Sequence, residues 1–299
     1  MDGRPVMLAV AGDSATGKTT LASGLVAALG GARATAVNLD HYHRHEREER
    51  ASQPFTALHP RANYMEVMAQ HLQLLALGQP VLQPVYDHAT GRLGRPALVR
   101  PADYVIVEGL LGLHTKLTRA CFDVTVYVEL AEPVRRMLKI SRDVHERGYT
   151  EQQVRDELER REAEAAAFVR PQRAHADIVV RFAPIEERGE VGTDPLSATV
   201  LLRPTIDHPD LAAIVSPEHQ KAIHLKLMRD DDGKPVDALH VHAYAPPDVT
   251  RQVQEAIWSN LGSQRPLPAC LGRLGEGRRS EPLAIVQLIL LHHLLGPAA

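Results

Sequence analysis

The chain has 299 residues, of which 44% are hydrophobic and 24% charged, and its net charge is −3, so disordered and fibrous classes are excluded. This near-neutral charge gives no electrostatic reason to expect a nucleic-acid partner, and no apolar run is long enough for a bilayer, so we expect no membrane partner either. Two cysteines are too few for a disulfide framework and predict a protein of the reducing cytoplasm.

Strands and helices alternate through the first part of the chain. Short apolar runs predict strands at residues 7–11, 34–39, 104–107, 124–130 and 178–182. Helical spacing and end signals predict helices at residues 19–29, 62–77, 133–147 and about 150–169, the last opened by a capping box of Thr150 and Gln153. This alternation predicts an α/β fold with a doubly wound, mostly parallel sheet.

The pattern changes after residue 183. Residues 184–198 are rich in Glu, Gly and Pro, so we divide the chain into a first domain, residues 1–189, and a smaller α+β extension of the same sheet, residues 190–299. The extension has predicted strands at 199–203, 224–228 and 238–242, and predicted helices near 249–261 and 283–295. Its Gly- and Arg-rich segment 272–279 predicts a mobile loop.

A phosphate-binding loop lies between the first strand and the first helix. Its residues are Gly12, Asp13, Ser14, Ala15, Thr16, Gly17, Lys18 and Thr19, followed by Thr20. They match G-x-x-x-x-G-K-[ST] in full, in the strand–loop–helix context that the motif requires, which disfavours a chance glycine loop. In such loops backbone N–H groups surround phosphates, the lysine reaches the β- and γ-phosphates, and the hydroxyl binds Mg²⁺. The motif therefore predicts ATP and Mg²⁺ as cofactors.

Acidic residues follow two of the predicted strands. Asp40 comes after the second strand and Glu108 after the third, and ligands of open parallel sheets bind at these carboxyl ends. A carboxylate beside a nucleotide can hold magnesium or accept the proton of an acceptor hydroxyl. The alternative for each is a helix cap or a loop acid, and the neighbouring phosphate loop favours the functional interpretation.

Two basic segments are candidates for binding anions. Residues 40–47, DHYHRHER, are dense in His and Arg and suit an anionic sugar, although such runs are usually solvated. Lys139, Arg142, Asp143 and Arg147 share one helix face, which is either a surface ion-pair ladder or a lid over the transferred phosphoryl group. Solvated faces are predicted for Lys116, Arg135, Arg136 and the arginines of 155–161.

Together these segments resemble the phosphoribulokinase/uridine kinase family of P-loop kinases from about Val6 to Phe182, and within it the plant and cyanobacterial phosphoribulokinases. The segments that carry the resemblance are LDHYH (39–43), ALHPRANYMEVM (57–68), PVYDHATG (84–91), VIVEGL (105–110), KISRDVHERGYT (139–150) and RPQRAHADIVV (170–180).

The resemblance implies a P-loop kinase fold, a phosphotransferase with an alcohol acceptor, and ribulose 5-phosphate, a small sugar phosphate, as the substrate. Asp40 matches the catalytic base, Lys18 assists it at the γ-phosphate, and Glu108 matches the acid assigned to magnesium together with Thr19. Positions matching the sugar-phosphate site are His43, Arg47, Arg61, Tyr86, His88, Lys139 and Asp143. Arg142 and Arg147 match a lid near ATP, and we expect a homodimer.

Two departures from the plant-type pattern concern its cysteines and its paired acids. Thr16 and Asn38 stand where those enzymes have redox cysteines, so we predict that a thiol switch is absent. His41 replaces one of the paired acids after the second strand, which removes one charge beside Asp40.

Two alternatives remain open: a uridine kinase or another small-alcohol kinase, and a catalytically silent ATP-binding regulator. The presence of Lys18, Asp40 and Glu108 argues against the silent version.

Overall fold

The computed structural model describes residues 3–185, 195–215, 222–261, 266–275 and 277–296. The domain boundary predicted at residues 189 and 190 lies outside these ranges, so that division stays a prediction. Among the described helices, none combines the length and the apolarity needed to cross a membrane.

Two lists give the bounds of the elements. The strands are β1 (Val6–Gly12), β2 (Ala34–Asn38), β3 (Val81–Asp87), β4 (Arg92–Val99), β5 (Tyr104–Gly109), β6 (Val124–Leu130), β7 (Ile178–Ala183), β8 (Ser197–Leu202), β9 (Ile223–Arg229), β10 (Pro235–Val241), β11 (Arg273–Gly275) and β12 (Arg278–Arg279). The helices are α1 (Lys18–Leu29), α2 (Arg47–Ala51), α3 (Met65–Ala76), α4 (Lys116–Arg119), α5 (Glu132–Arg147), α6 (Glu151–Glu164), α7 (Leu211–Ile214), α8 (Pro247–Asn260) and α9 (Glu281–Leu295).

The centre of the molecule is an eight-stranded sheet in the order β2-β5-β1-β6-β7-β8-β10-β9. In this order the first five strands, β2, β5, β1, β6 and β7, pair in parallel. The last three, β8, β10 and β9, continue the sheet in antiparallel pairing. The central strands are buried along most of their length because helices cover both faces, which explains why they are continuous apolar runs rather than alternating ones. The predicted α/β fold with a mostly parallel sheet is confirmed.

The larger core lies between the sheet and the helices α1, α8 and α9. Helix α9 is apolar on all sides and almost entirely buried, as expected for a helix that packs against neighbours all round. A second core on the opposite face joins α3 to β2 and β5. Parallel pairing brings the carboxyl ends of these strands to the edge of the sheet where the loop between β1 and α1 begins.

Two hairpins differ from the sequence prediction. The hairpin β3–β4 was not predicted, because Pro84 interrupts its first strand, its register shifts between Gln83 and Val85, and its second strand is mostly exposed. The segment 272–279, predicted as a mobile loop, contains the paired strands β11 and β12. Two hydrogen bonds anchor this segment: the Gly272 N–H donates to the Gln287 side chain, and the Ser280 N–H donates to the Gly272 carbonyl. These partners are 15 and 8 residues apart in the chain, so no local sequence pattern indicates them.

Two predicted helices have revised ends. The helix predicted from residue 62 begins at Met65, because Pro60–Ala62 forms a separate 3₁₀ turn. The predicted capping box of Thr150 and Gln153 is present, but α6 ends at Glu164 and a π-helical turn, Ala165–Val169, continues it.

Candidate active site

The phosphate-binding loop has the backbone conformation that its glycines permit. Gly12 and Gly17 have φ angles of 149° and 90°, and a Cβ on Gly12 would lie 2.4 Å from the carbonyl oxygen of Val128 in β6. Lys18, at the first position of α1, is buried, and its Nζ donates to the Asp13 carbonyl 2.8 Å away. The loop therefore presents a cation and the N-terminus of a helix at one point, which suits a polyphosphate.

Thr19 and Glu108 form an oxygen pair beside the lysine. β5 lies next to β1 with Glu108 opposite Val10, so the acid emerges at the phosphate loop. The Thr19 hydroxyl donates to Glu108 Oε1 at 3.1 Å. Burial raises the pKa of Glu108, and the nearby Lys18 ammonium opposes that rise. A hydroxyl and a carboxylate are hard oxygen donors, so this pair fits Mg²⁺.

Asp40 lies in the 3₁₀ turn that directly follows β2. The Asn38 side chain caps this turn by accepting the Asp40 N–H at 2.7 Å, and the Leu110 N–H donates to Asp40 Oδ1 at 3.3 Å. Burial raises the pKa of Asp40, but the Lys18 ammonium, the two neighbouring histidines and the Leu110 N–H together outweigh burial and hold that pKa below its usual range. Asp40 is therefore an ionised carboxylate at neutral pH, able to accept a proton.

His43 and His88 are neutral on the acceptor side of the cleft. Burial lowers the pKa of His43 to about 3 and that of His88 to about 4. The Asn63 amide is oriented by its donations to the carbonyls of Ala57 and His59, so its Oδ1 accepts from His43 Nδ1 at 2.7 Å. His43 Nε2 consequently carries the lone pair. The sequence suggested a cationic histidine at position 43, whereas the structure has a neutral imidazole whose Nε2 can accept a hydrogen bond.

Arg50, which was not predicted as a site residue, lines the same part of the cleft. Its guanidinium donates to the Tyr86 hydroxyl at 3.2 Å and lies 5.5 Å from the centroid of that ring. Arg47 instead donates to the His88 carbonyl at 2.7 Å and stacks over Tyr149, so it holds the turn after β3. The available signal was the three-residue spacing from Arg47 to Arg50, which places both on one side of α2.

Arg61 differs from the other residues assigned to the sugar phosphate. It lies in the turn Pro60–Ala62, its side chain is exposed, and it is not among the residues that line the cleft. Of the three residues in this turn only Ala62 is buried, and the Arg61 side chain lies at the surface. The structure therefore does not bring Arg61 together with His43, Tyr86 and His88.

The predicted basic face of α5 reaches the phosphate loop. Lys139 is buried and pairs with Asp143 at 2.5 Å, and Asp143 also pairs with Arg142 at 2.9 Å and Arg147 at 3.4 Å. Burial, together with Arg161, lowers the pKa of Lys139 to about 7. Arg142 donates to the Ser14 hydroxyl at 3.2 Å. The Asp143 carboxylate pairs with three cationic side chains. It is therefore better placed to hold those cations in position than to bind an anionic substrate.

Of the arginines predicted to be solvated, Arg135 is buried at this site and Arg161 is mostly buried there. Arg135 pairs with Asp13 at 3.4 Å and donates to the Ser14 carbonyl, so it braces the phosphate loop. Arg161 pairs with Glu157 at 2.6 Å and lines the cleft. The sequence held a usable signal for Arg135, which precedes Lys139 by four residues and therefore shares its helix face.

These groups line one cleft of about 670 Å³. The predicted site residues among its walls are Ser14, Ala15, Thr16, Gly17, Lys18, Thr19, Thr20, Asp40, His43, Arg47, Tyr86, His88, Glu108, Lys139, Arg142, Asp143 and Arg147. Gly12 and Asp13 lie at the start of the loop, where Asp13 contacts Lys18 and Arg135. Arg50, Arg161 and Leu274 are wall residues that were not assigned to the site from the sequence.

The sheet order, the phosphate loop and the acid after the neighbouring strand define the P-loop kinase fold. The model of the phosphoribulokinase/uridine kinase family matches residues 7–187, and the chain belongs to that family. A phosphoribulokinase of Synechocystis is 36% identical over 181 residues, which are 60% of this chain and 54% of the relative. A uridine kinase of Deinococcus deserti is 30% identical over 205 residues, which are 66% of this chain and 96% of the relative.

The chain spans about half of the length of the curated phosphoribulokinases that it matches, including that of Spinacia oleracea, with 30% identity over 198 residues. Among solved structures, a phosphoribulokinase from Rhodobacter spheroides superposes with a TM-score of 0.60. It covers 85% of this chain and 99% of that one at 18% identity, which supports the shared fold.

Proposed function

We propose that this protein is an ATP- and Mg²⁺-dependent kinase that phosphorylates the C1 hydroxyl of ribulose 5-phosphate, giving ribulose 1,5-bisphosphate. The observation that carries the proposal is the ionised Asp40 carboxylate, held between the Lys18 end of the phosphate loop and a wall with neutral histidines and Arg50. The relatives named phosphoribulokinase support the choice of acceptor.

The phosphate side of the cleft binds and orients the donor. The N–H groups at the start of α1 and the Lys18 ammonium bind the phosphates, and Arg142 covers the loop through Ser14. Thr19 and Glu108 would hold Mg²⁺, which when bound neutralises negative charge on the phosphates. Arg135 keeps Asp13 and the loop in place, so that these donors need no rearrangement during transfer.

Asp40 is the general base on the acceptor side. The Leu110 N–H fixes one carboxylate oxygen, and the low pKa of Asp40 keeps the group ionised. As the acceptor oxygen bonds to phosphorus, its proton passes to the Asp40 carboxylate, and the bond from the γ-phosphorus to the ADP oxygen breaks. Positioning and charge stabilisation supply most of the rate in this chemistry, with the base removing the proton.

The acceptor wall suits a substrate with both hydroxyl and phosphate groups. His43 Nε2 accepts from a hydroxyl, since its Nδ1 is committed to Asn63. Arg50 presents a permanent charge beside the Tyr86 hydroxyl, and charge-assisted bonds to phosphate are about twice as strong as neutral ones. An acceptor phosphate is therefore bound by Arg50, and the sugar hydroxyls by the neutral histidines.

Uridine kinase is the second candidate, favoured by the Deinococcus deserti relative, which this chain covers almost completely. A neutral nucleoside has no anionic group for Arg50, and this is why we favour the sugar phosphate. A silent ATP-binding regulator would use Lys18 and Glu108 to bind MgATP, but it would not need the Asp40 carboxylate as a base.

Asp40→Asn tests the proposed role directly. We expect the rate of ADP release with ribulose 5-phosphate to fall by about 10²- to 10⁴-fold, because the amide cannot accept the proton. The dissociation constant of MgATP, measured by calorimetry, should stay within a few-fold of the parent value. A loss of ATP affinity with an unchanged kcat would make Asp40 a metal-binding or structural acid instead.

A further inference from the structure

One residue from the C-terminal part of the chain reaches the nucleotide cleft. Leu274, in β11, lines the cleft together with Gly17 and Thr20 of the phosphate loop. The other described residues of the wall lie between Ser14 and Arg161. Leu274 is far beyond residue 187, at which the family match ends.

Gln287 fixes the position of the β11–β12 hairpin. Its side chain is fully buried in the apolar helix α9, and its Oε1 accepts the Gly272 N–H at 2.8 Å. The same side-chain amide contacts α1, because a Cβ on Gly24 would lie only 1.9 Å from Gln287 Nε2. One glutamine therefore connects the hairpin to the helix that begins at the phosphate loop.

The hairpin lies on the side of the loop opposite the acceptor wall. Helix α1 packs over β2 and β5, whereas α9 packs over β8 and β10. Asp40 follows β2 and Glu108 lies at the end of β5, so the transferred phosphoryl group faces that direction. The rest of the nucleotide must extend away from Asp40, and Leu274 approaches the loop from the α9 side.

We propose that Leu274 packs against the base of the bound nucleotide and that β11 forms this wall of the base subsite. The assignment rests on the proposed function, because it takes a nucleoside triphosphate as the donor. A leucine side chain contacts the apolar face of a base through dispersion and excludes water from it. The C-terminal part of this chain thereby contributes to nucleotide affinity, while the phosphates are bound at the phosphate loop.

The test compares ATP with inorganic tripolyphosphate, which carries the phosphates without a base. Calorimetry on the full chain with Mg²⁺ and without acceptor gives the dissociation constants for both ligands. We expect Leu274→Ala to weaken ATP binding by about tenfold and to leave tripolyphosphate binding within about twofold of the parent value. Leu227→Ala is the matched control, because Leu227 is 80% exposed on β9, and it should change neither constant.

Two results would overturn the assignment. Leu274→Ala could bind ATP as tightly as the parent, or it could lose ATP and tripolyphosphate equally, which would indicate a damaged phosphate loop. Leu274→Gln, similar in volume, repeats the test if the alanine variant does not fold, with the same expected loss for ATP. If the parent protein binds ATP but phosphorylates neither ribulose 5-phosphate nor uridine, the proposed function is contradicted, whereas the base subsite is still supported by the loss of ATP affinity in Leu274→Ala.

Discussion

At the residue scale, different side chains on the acceptor side of the cleft carry positive charge and accept hydrogen bonds. His43 and His88 are neutral because burial lowers their pKa values to about 3 and about 4, so Arg50 is the permanent charge in contact with Tyr86. A protonated histidine here would compete with Lys18 for Asp40. Neutral histidines leave the Asp40 carboxylate free to take the proton of the acceptor.

Arg50→Ala and Arg61→Ala distinguish the cleft from the surface. We expect Arg50→Ala to raise the KM for ribulose 5-phosphate by about 10- to 100-fold, since it removes a charge-assisted contact. The KM for ATP should not change, and Arg61→Ala should leave both constants within about twofold, because surface charges contribute little. Steady-state kinetics check both variants, and a larger effect of Arg61 would contradict this description of the acceptor wall.

Residues of the phosphate loop could be predicted because their chemistry requires a local pattern. Lys18 and Thr19 are contiguous with the glycines that position them, and Asp40 and Glu108 each follow a recognisable strand. Arg161 could not be assigned from local composition, because an arginine on a polar helix is usually solvated, and Arg135 had only its four-residue spacing from Lys139 as a signal. Their burial depends on α5 and α6 packing beside the loop.

At the scale of elements, buried strands and capped helices were predictable, whereas hairpins were not. The parallel strands are apolar because they are covered on both faces, and Thr150 caps α6 through a pattern within four residues. The hairpin β3–β4 has an exposed second strand and a proline in the first, so it lacks an alternating pattern. The hairpin β11–β12 depends on Gln287, which is distant along the chain.

A buried ion pair connects the antiparallel elements to one another. Arg203, which follows β8, is 1% exposed and donates to Asp230 in the turn between β9 and β10 at 2.7 Å and 2.9 Å. It also donates to the carbonyls of Arg173 and Ala176. One guanidinium thus holds together the ends of β7, β8 and β9.

Arg203→Ala should destabilise the protein by about 3 kcal/mol, because it removes the cation nearest to the buried Asp230 carboxylate. For a chain of this size we expect the Tm to fall by about 5 °C in thermal unfolding. Arg251→Ala is the control, since Arg251 and Glu255 form an exposed pair at 2.9 Å, and it should cost less than about 1 kcal/mol. Equal effects of the two variants would show that the buried pair does not hold the sheet.

At the scale of the whole molecule, the two cysteines lie away from the cleft. Cys121 is buried, and burial raises the pKa of its thiol, so little thiolate forms. Neither Cys121 nor Cys270 lines the cleft. Thr16 and Asn38 instead form hydrogen bonds to the Asp13 carbonyl and the Asp40 N–H.

The homodimer expected from the family stays a prediction.

Activity should therefore be the same after incubation with oxidised or reduced dithiothreitol, because no cysteine of the described cleft can form a blocking disulfide. Initial rates of ADP release before and after each incubation check this. Oxidative loss of activity that reductant restores, and that Cys121→Ser removes, would show that these cysteines control the enzyme.

The central claim is that the cleft transfers phosphoryl to an acceptor that itself carries a phosphate. The most direct measurement is kcat/KM for ribulose 5-phosphate and for uridine, at saturating MgATP, with the same preparation. We predict a preference for ribulose 5-phosphate of about 100-fold or more, because Arg50 has a charge-assisted partner only in that substrate. A higher kcat/KM for uridine, or turnover of neither compound, would contradict the account.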